Sequence, residues 1–272
     1  MKGRTITLIK NTLAIIVIIA IWQIVAINMS KKGSTISNLM PTWQHVITID
    51  LPGFATFDRG VLTNSASDYG IAFSVLLKHS GITIRRVLSG LVIGAIIGIG
   101  MGLIIGFNEK VRSMFYPTIR FIRNVPLLAL VALFLVWFGG NEKGIIIYIS
   151  FALWVIYCTS TIEAITTIDP VRIAFARTLG AKEKDIFLSI SIPMIIPNIL
   201  DATKVALGVA WAVALGSEFL AAQNGLGRLM IISQMYLNTG RMLVILILFV
   251  IYTALFSGFV TIISRRLLRW MP

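Results

Sequence analysis

Six long blocks of apolar residues are the feature that most constrains what this chain can fold into. The blocks contain few charges and cover residues 8–27, 82–107, 115–138, 145–165, 193–222 and 242–267. One helical crossing of a bilayer takes about 20 apolar residues. Only 13% of the 272 residues are charged, against about 25% in soluble domains. The sequence therefore predicts an all-α polytopic membrane protein with six transmembrane helices.

The apolar blocks divide the chain into three predicted parts. Residues 1–28 form an N-terminal transmembrane helix, residues 29–79 form an extracytoplasmic segment, and residues 80–268 form the main transmembrane domain. The N-terminus resembles a signal peptide, because basic residues precede an apolar run. The run lacks a convincing small-residue cleavage site, so the sequence favours an uncleaved first span.

The distribution of Lys and Arg sets the predicted orientation, because these residues are enriched in cytoplasmic loops. With the N-terminus inside, six spans also place the C-terminus inside, together with Arg265, Arg266 and Arg269. The charged stretch after the fourth span is then inside as well. We expect a multi-pass protein of the bacterial cytoplasmic (inner) membrane with both termini in the cytoplasm.

Several function classes are disfavoured by what the sequence lacks. The net charge of +13 lies in loops and at span ends, and no basic helix interleaved with aromatic residues predicts nucleic-acid binding. Cys158 is the only cysteine, which excludes a Cys-rich metal site and an internal disulfide. The chain has no phosphate-binding loop and no Ser/His/Asp arrangement. We therefore expect no metal, no cofactor and no enzyme activity in this chain.

Small residues recur every four positions in two of the predicted spans. They are Gly90, Gly94, Gly98, Gly102 and Gly106 in the second span, and Ala202, Ala206, Ala210 and Ala214 in the fifth. Small residues let helix backbones approach closely in a membrane. Because a four-residue step drifts by about 40° around a helix, we expect each ridge to wrap its helix instead of lining one face. The ridges indicate helix packing, or alternatively a sliding surface in a moving bundle.

Glu218 stands out as a carboxylate within the apolar fifth span. A charged side chain inside a bilayer is costly and usually faces a cavity or a partner. Two interpretations remain open at this point. Glu218 either gates or lines a pathway, or it makes a structural hydrogen bond.

A polar stretch, residues 169–193, separates the fourth and fifth spans. Asp169 and Pro170 form a typical helix start, and Gly180 can end that helix in a left-handed conformation. Residues 181–190 are then expected to form a second short helix, which Pro193 ends as the fifth span begins. Such a hairpin either docks a partner or is a solvated loop.

This stretch resembles the EAA loop in permease subunits of binding-protein-dependent ABC importers. In that family a Glu-Ala-Ala triplet precedes a glycine, and a proline follows thirteen residues later. Here Pro193 follows Gly180 by 193 − 180 = 13 positions and ends Ile190-Ser191-Ile192-Pro193. Ala174-Phe175-Ala176 replaces the triplet, so the family's glutamate is missing.

Further segments resemble the sulfonate, taurine, nitrate and bicarbonate branch of these importers. They are Asn124-Val125-Pro126-Leu127-Leu128-Ala129, Trp137-Phe138-Gly139, Gly208-Val209-Ala210-Trp211, Gly216-Ser217-Glu218-Phe219-Leu220-Ala221-Ala222 and Gly225-Leu226-Gly227. The resemblance extends over residues 76–268. It adds Pro126 and Trp211 to Glu218 as candidate pathway or gating residues.

The resemblance implies a type I ABC importer permease fold with a cytoplasmic coupling helix between spans four and five. Implied partners are two cytoplasmic ATPase subunits that bind ATP and Mg²⁺, a second permease copy, an extracytoplasmic solute-binding protein and the lipid bilayer. Implied coupling residues are Ala174, Ala176, Gly180, Ala181, Lys182, Asp185, Phe187, Ile190 and Pro193. The implied solute is a small anion. A vitamin or pyrimidine precursor and an ion-gradient-driven secondary transporter are the alternatives.

Overall fold

A computed structural model describes residues 2–30, 39–57 and 69–269. Every regular element within these ranges is helical. The α-helices are α1 (Lys2–Ser30), α2 (Trp43–His45), α3 (Tyr69–Phe107), α4 (Glu109–Arg123), α5 (Leu127–Phe138), α6 (Glu142–Thr166), α7 (Pro170–Thr178), α8 (Glu183–Ile186), α9 (Ile192–Ala221), α10 (Leu226–Met235) and α11 (Thr239–Leu267). Shorter π and 3₁₀ turns follow α2 and α8. The predicted all-α class is therefore confirmed.

Among the described residues, four helices are long and apolar enough to cross a bilayer: Tyr69–Phe107, Glu142–Thr166, Glu183–Ala221 and Thr239–Leu267. A fifth candidate span is the pair α4 and α5, whose axes are bent by 98° at the break between them. The described apolar part of α1 covers Ile16–Met29. The helices thus coincide with the apolar blocks of the sequence, while the count of six spans stays a prediction.

Two helices differ from the sequence-based expectation. Helix α3 begins at Tyr69, so the last residues of the segment 29–79 extend the second span as a helix. Helix α10 lies where the sequence indicated only a loop between the fifth and sixth spans. With ten residues, this helix is too short to be recognised as a membrane span, and its apolar pattern is too weak to predict a helix.

The glycine ridge of α3 packs along α6. A Cβ atom on Gly98 would lie 2.7 Å from the carbonyl oxygen of Trp154, and one on Gly102 would lie 2.6 Å from Cβ of Thr161. The ridge therefore permits backbone contact, as predicted. All five glycines meet α6, so one partner helix follows the ridge along its whole length. Ridges of four-residue spacing are inclined to the helix axis, and a partner helix can cross along them.

The alanine ridge of α9 is also buried. Ala206, Ala210 and Ala214 are each fully buried, and Ala202 nearly so. Helix α9 packs along α6, where the hydroxyl of Tyr157 donates a hydrogen bond to Thr203 Oγ1 at 3.1 Å. Helix α6 is thus the central helix to which α3, α4, α5 and α9 attach.

The chain divides into two compact units, one of Met1–Ser80 with Leu229–Leu248 and one of Gly81–Arg228 with Phe249–Pro272. In the first unit, the indole of Trp22 donates to the carbonyl of Pro41 at 3.1 Å, and the Trp43 amide donates to Gln23 at 3.0 Å. These bonds hold the segment that contains α2 against α1. The domain boundaries 1–28, 29–79 and 80–268 remain predictions from the sequence.

Candidate coupling loop and ion-pair cluster

Helix α7 opens the loop that connects α6 to α9. The carboxylate of Asp169 accepts a hydrogen bond from the amide of Val171 at 2.9 Å and caps the helix. Pro170 occupies the first turn, where its missing N–H leaves no intrahelical bond unmade. The predicted start of this helix is therefore confirmed.

Gly180 ends α7 with a φ of +83°, as the sequence indicated. The amide of Gly180 donates to Arg177 O at 3.0 Å, and the amide of Ala181 donates to Ala176 O at 3.1 Å. This pair of bonds is the Schellman arrangement, which requires a left-handed residue at the position that Gly180 occupies. A Cβ at Gly180 would meet no atom within 4 Å, so backbone conformation alone selects glycine here.

The expectation of a separate helix over residues 181–190 ended by Pro193 was wrong. Helix α8 begins at Glu183 and continues through the π turn Phe187–Ser191 into α9 without a break. Pro193 lies directly after this π turn, inside the continuous helix. The irregular hydrogen bonding of a π turn lets the helix continue past a residue that has no N–H to donate. The loop is therefore joined to the fifth span by continuous helix.

The exposed surface of the loop is partly apolar. Val171, Phe175 and Leu179 are 71%, 64% and 72% exposed, and their four-residue spacing places them along one side of α7. Arg177 and Glu183 form an ion pair across the Gly180 turn, with Nε and Oε1 2.7 Å apart. Because both side chains are exposed, this pair contributes little to stability.

The predicted coupling residues occupy different environments in this loop. Ala176 lies on the buried side of α7, while Ala174, Gly180, Lys182 and Asp185 are exposed. The remaining ones are half-buried, namely Ala181, Phe187, Ile190 and Pro193. The ring of Phe187 contacts the ring of Phe107 at the end of α3, with centroids 4.9 Å apart. The buried members anchor the loop, and the exposed ones present a surface.

Glu218 lies in a second cluster, at the opposite end of α9 from the loop. Its side chain is fully buried, and its carboxylate accepts from Arg86 Nη1 at 2.8 Å, from the Thr83 hydroxyl at 2.9 Å and from the Gly227 amide at 2.9 Å. Hydrogen bonds of this kind offset the cost of a buried charge. The contacts favour the structural interpretation of Glu218, while a gating role stays a prediction.

Two glycines in the turn after α9 allow the backbone to pass close to the Glu218 side chain. Gly225 has a φ of +111°, and a Cβ there would collide with the Glu218 carboxylate. A Cβ on Gly227 would lie 2.5 Å from Cβ of Glu218. The amide of Leu226, between them, donates to Thr83 Oγ1 at 2.9 Å. The Gly-Leu-Gly segment is therefore shaped by its contact with Glu218.

Arg86 extends the cluster to α6 and to the turn. Its Nη2 atom lies 2.7 Å from Glu142 Oε2, and its Nη1 atom donates to Asn224 O at 2.7 Å. Arg85 pairs with the other oxygen of Glu142 at 2.8 Å. The guanidinium of Arg86 thus joins α3, α6, α9 and the turn that follows α9. We call Thr83, Arg86, Glu142 and Glu218 the outer cluster.

Three members of the outer cluster, Thr83, Arg86 and Glu142, were not among the residues that the sequence patterns indicated. Their partners are more than fifty positions away along the chain, so local spacing carries no indication of the contact. Arg86 could have been found by asking which cation within the apolar blocks pairs with Glu218. A cation and Glu218 both lie in blocks that are otherwise apolar, and intramembrane charges usually pair with one another.

Trp211 and Pro126, the other candidate pathway residues, lie apart from Glu218. Trp211 is buried and stacks on Tyr252, with ring centroids 5.9 Å apart, and it also contacts the rings of Phe249 and Phe256. Pro126 is exposed and caps the N-terminus of α5, directly after the 98° bend. No contact among the described residues assigns either of them to a pathway, so both remain predictions.

Comparison with known proteins decides the family. Residues 90–269 match the family described as "Binding-protein-dependent transport system inner membrane component". The chain belongs to this family. It is the permease subunit of an ABC importer, and the family match supports this interpretation over the ion-gradient-driven alternative.

Two relatives place the permease within its family. It is 28% identical to the "Putative aliphatic sulfonates transport permease protein SsuC" of Bacillus subtilis, over 96% of this chain and 87% of that protein. It is also 28% identical to the "Taurine transport system permease protein TauC" of Escherichia coli, over 87% of this chain and 88% of that protein. Both resemblances support the branch that the sequence motifs indicated.

A solved structure shows the same fold. The permease is similar to a chain of the MetNI methionine ABC transporter in an inward-facing conformation, with a TM-score of 0.61 and 18% sequence identity. The match covers 72% of this chain and 97% of that chain. The predicted type I ABC importer permease fold is therefore confirmed.

Proposed function

We propose that this permease carries a small oxoanion, such as a sulfonate, taurine, nitrate or bicarbonate, across the cytoplasmic membrane. The observation that carries the proposal is the similarity to sulfonate and taurine permeases over most of the chain. An extracytoplasmic binding protein would deliver the solute, as the family description implies. Two copies of the permease would enclose the pathway.

The orientation follows from the positions of Lys and Arg. We place both termini and the loop of α7 and α8 in the cytoplasm, and the outer cluster at the extracytoplasmic ends of the spans. Helix α9 then runs from the loop to the outer cluster across the membrane.

In this proposal the loop docks on a cytoplasmic ATPase subunit, one for each permease copy. Val171, Phe175 and Leu179 supply the contact, because three large apolar side chains exposed on one side of a short helix and its C-terminal cap are suited to a groove on a partner. ATP and Mg²⁺ would bind to the ATPase subunits, and this chain contributes no residue to the hydrolysis.

The continuous helix from Glu183 to Ala221 gives the loop a mechanical connection to the pathway. If the ATPase subunits move the loop when they bind ATP, α9 transmits the displacement without an intervening hinge. The Gly180 turn is the flexible point on the other side of α8. It lets α7 keep its contact with the ATPase while α8 and α9 move together.

The test is to purify the permease with its ATPase subunits and binding protein, and to identify the bound solute by mass spectrometry. We expect an oxoanion in the binding protein and co-purification of the ATPase. A neutral or cationic solute, such as a pyrimidine precursor, would contradict the proposed substrate. Failure of any ATPase to co-purify would contradict the docking role of the loop.

A further inference from the structure

Helix α4 carries a row of four polar side chains along one side, although it belongs to a candidate membrane span. The spacings of three, four and three residues put these side chains on the same side of a helix. They form what we call the polar stripe: Ser113, Tyr116, Arg120 and Arg123. Phe121 lies on another face of α4 and is 73% exposed. The helix is therefore strongly two-sided at the depth of the bilayer.

Glu163 of α6 balances one charge of the polar stripe. Its Oε1 atom lies 3.6 Å from Arg123 Nη1 and accepts a hydrogen bond from the Tyr116 hydroxyl at 3.2 Å. Arg123 Nη1 also lies 3.5 Å from Thr159 Oγ1. The side chains of Arg123 and Glu163 are 47% and 49% exposed. The ion pair is therefore formed, but about half of each side chain remains exposed.

Arg120 has no carboxylate partner of this kind among the described residues. Its side chain is exposed, and within residues 2–30, 39–57 and 69–269 it takes part in no ion pair. Two arginines less one glutamate, 2 − 1, leave the stripe with one net positive charge in each copy of the permease. The helix dipole favours a cation near the C-terminus of α4. This effect does not replace the water that an exposed guanidinium needs around it.

The bilayer limits where such a stripe can face. A charged side chain at the centre of a membrane costs about 2.5–3.5 kcal/mol on insertion scales, and such residues face the protein interior or a water-filled cavity. The exposed aromatic ring of Phe121 is suited to lipid, whereas a half-exposed ion pair beside a second arginine is not. The two faces of α4 therefore meet different surroundings.

We propose that the polar stripe lines the aqueous pathway, and that Arg120 holds the solute anion there in transit. This inference rests on the proposed function, which requires an anionic solute and a pathway between two permease copies. A guanidinium presents paired donors that fit planar or branched oxoanions. Arg123 is occupied by Glu163, so Arg120 provides one weak site in each copy, which a passing anion can leave again.

The test measures local charge and water access without requiring the natural solute. The sole native cysteine is replaced by Cys158→Ser, and Asn124→Cys places a thiol one turn after Arg120. The complex is purified with its ATPase in phosphatidylcholine nanodiscs. It is then treated with an anionic, sulfonate-bearing methanethiosulfonate or with its cationic trimethylammonium counterpart. Phe121→Cys in the same background is the matched control on the other face.

We expect the thiol at position 124 to react, and to prefer the anionic reagent relative to free cysteine. Adding Arg120→Gln should reduce that preference by about tenfold, the lower end of the effect of focused charge in a cleft, and Arg120→Lys should retain it. The thiol at position 121 should react with neither reagent.

Three results would overturn the inference. The first is equal reaction at positions 121 and 124. The second is a charge preference that Arg120→Gln leaves unchanged. The third is the absence of any charge preference in the native background, because a lipid phosphate already neutralises Arg120. ATP hydrolysis by the co-purified ATPase is measured in the same sample. Loss of the ATPase would count against the proposed function, whereas the labelling pattern decides the role of the stripe.

Discussion

Arg86 Nη1 and Glu218 Oε1 lie 2.8 Å apart, and both side chains are buried. The pair connects α3 to α9, and Glu142 on α6 shares the same guanidinium. A buried charge without its partner is strongly destabilising, whereas a fully hydrogen-bonded one is tolerated. The outer cluster therefore holds the ends of three spans together as one structural unit.

Removing either member of this pair should reduce stability by different amounts. Arg86→Met leaves Glu218 buried without a counter-charge and should cost about 3–5 kcal/mol. Glu218→Gln should cost less, because Glu142 and Asn224 O still receive the donors of Arg86. The thermal unfolding midpoint of the purified complex measures both effects. Equal and small shifts in the two variants would show that the cluster does not hold the helices.

The double variant provides the control for coupling. Because the two residues share one interaction, Arg86→Met with Glu218→Gln should be less damaging than the sum of the two single changes. Strict additivity would indicate that the two side chains act independently.

Two glycines on α3 should respond differently to the same substitution. Gly98→Ala would put a Cβ 2.7 Å from Trp154 O, a backbone atom that cannot rotate away. The change should destabilise by about 1–3 kcal/mol, as overpacking generally does. Gly100→Ala meets no atom within 4 Å and should be neutral or slightly stabilising, since alanine favours helix. The unfolding midpoints decide, and similar losses at both positions would contradict close packing of α3 on α6.

The sequence predicted those parts of the fold that depend on local patterns. Apolar blocks located the long helices, and the spacing of Gly90 to Gly106 indicated a close helix contact. Asp169 and Gly180 marked both ends of α7, because capping is decided by a few neighbouring residues.

The remaining features depend on distant contacts or on irregular helix geometry. Arg86 finds Glu218 only after the chain has folded, so no local pattern contained that pair. The sequence pattern predicts a helix end at Pro193, whereas a preceding π turn lets the helix continue. The sequence placed Arg120 within a span, but only the structure showed that Glu163 balances Arg123 and leaves Arg120 without an ion-pair partner among the described residues.

Gly180→Val should separate the loop's shape from the stability of the membrane helices. A φ of +83° is costly for a β-branched residue, by about 1–2 kcal/mol or more, so the turn should rearrange and α7 should lose its position. ATPase co-purification and uptake should fall while membrane insertion persists. Gly100→Val, at an uncrowded helical glycine, is the control and should retain the ATPase. Normal uptake by Gly180→Val would contradict the coupling role.

Phe175→Ala tests the docking surface without disturbing the backbone. The side chain is 64% exposed, so its removal should leave the permease folded. Binding of the ATPase should weaken by at least about tenfold if the ring is an anchor of the interface. A titration of purified ATPase onto the permease in nanodiscs measures the affinity. Thr178→Ala, also exposed on α7, is the control, and equal affinities for both variants would place docking elsewhere.

The buried Asp50 should make stability depend on pH. Burial raises the pKa of Asp50, and the hydrogen bond with Asn238 and the charges of His45 and Arg241 only partly offset this effect. The folded state then binds the proton more tightly than the unfolded chain. The resulting penalty is absent below the ordinary pKa and complete above the raised pKa. Stability due to this group therefore falls as pH rises.

Asp50→Asn removes this titration. Relative to the native chain, the variant should gain stability on going from about pH 4 to about pH 7, as measured by the unfolding midpoint in detergent. Asp185→Asn, at an exposed carboxylate in the loop, is the control. A relative loss of stability for Asp50→Asn over that interval would contradict the assigned direction.

ATP-driven import of a small anion is tested by solute uptake into proteoliposomes that contain the permease, its ATPase subunits and its binding protein. Labelled taurine, ethanesulfonate and nitrate are the probes, with ATP and Mg²⁺ enclosed. We predict uptake of at least one of these anions that requires ATP and survives an uncoupler. Uphill uptake by the permease alone, without any nucleotide-hydrolysing subunit, would contradict the account.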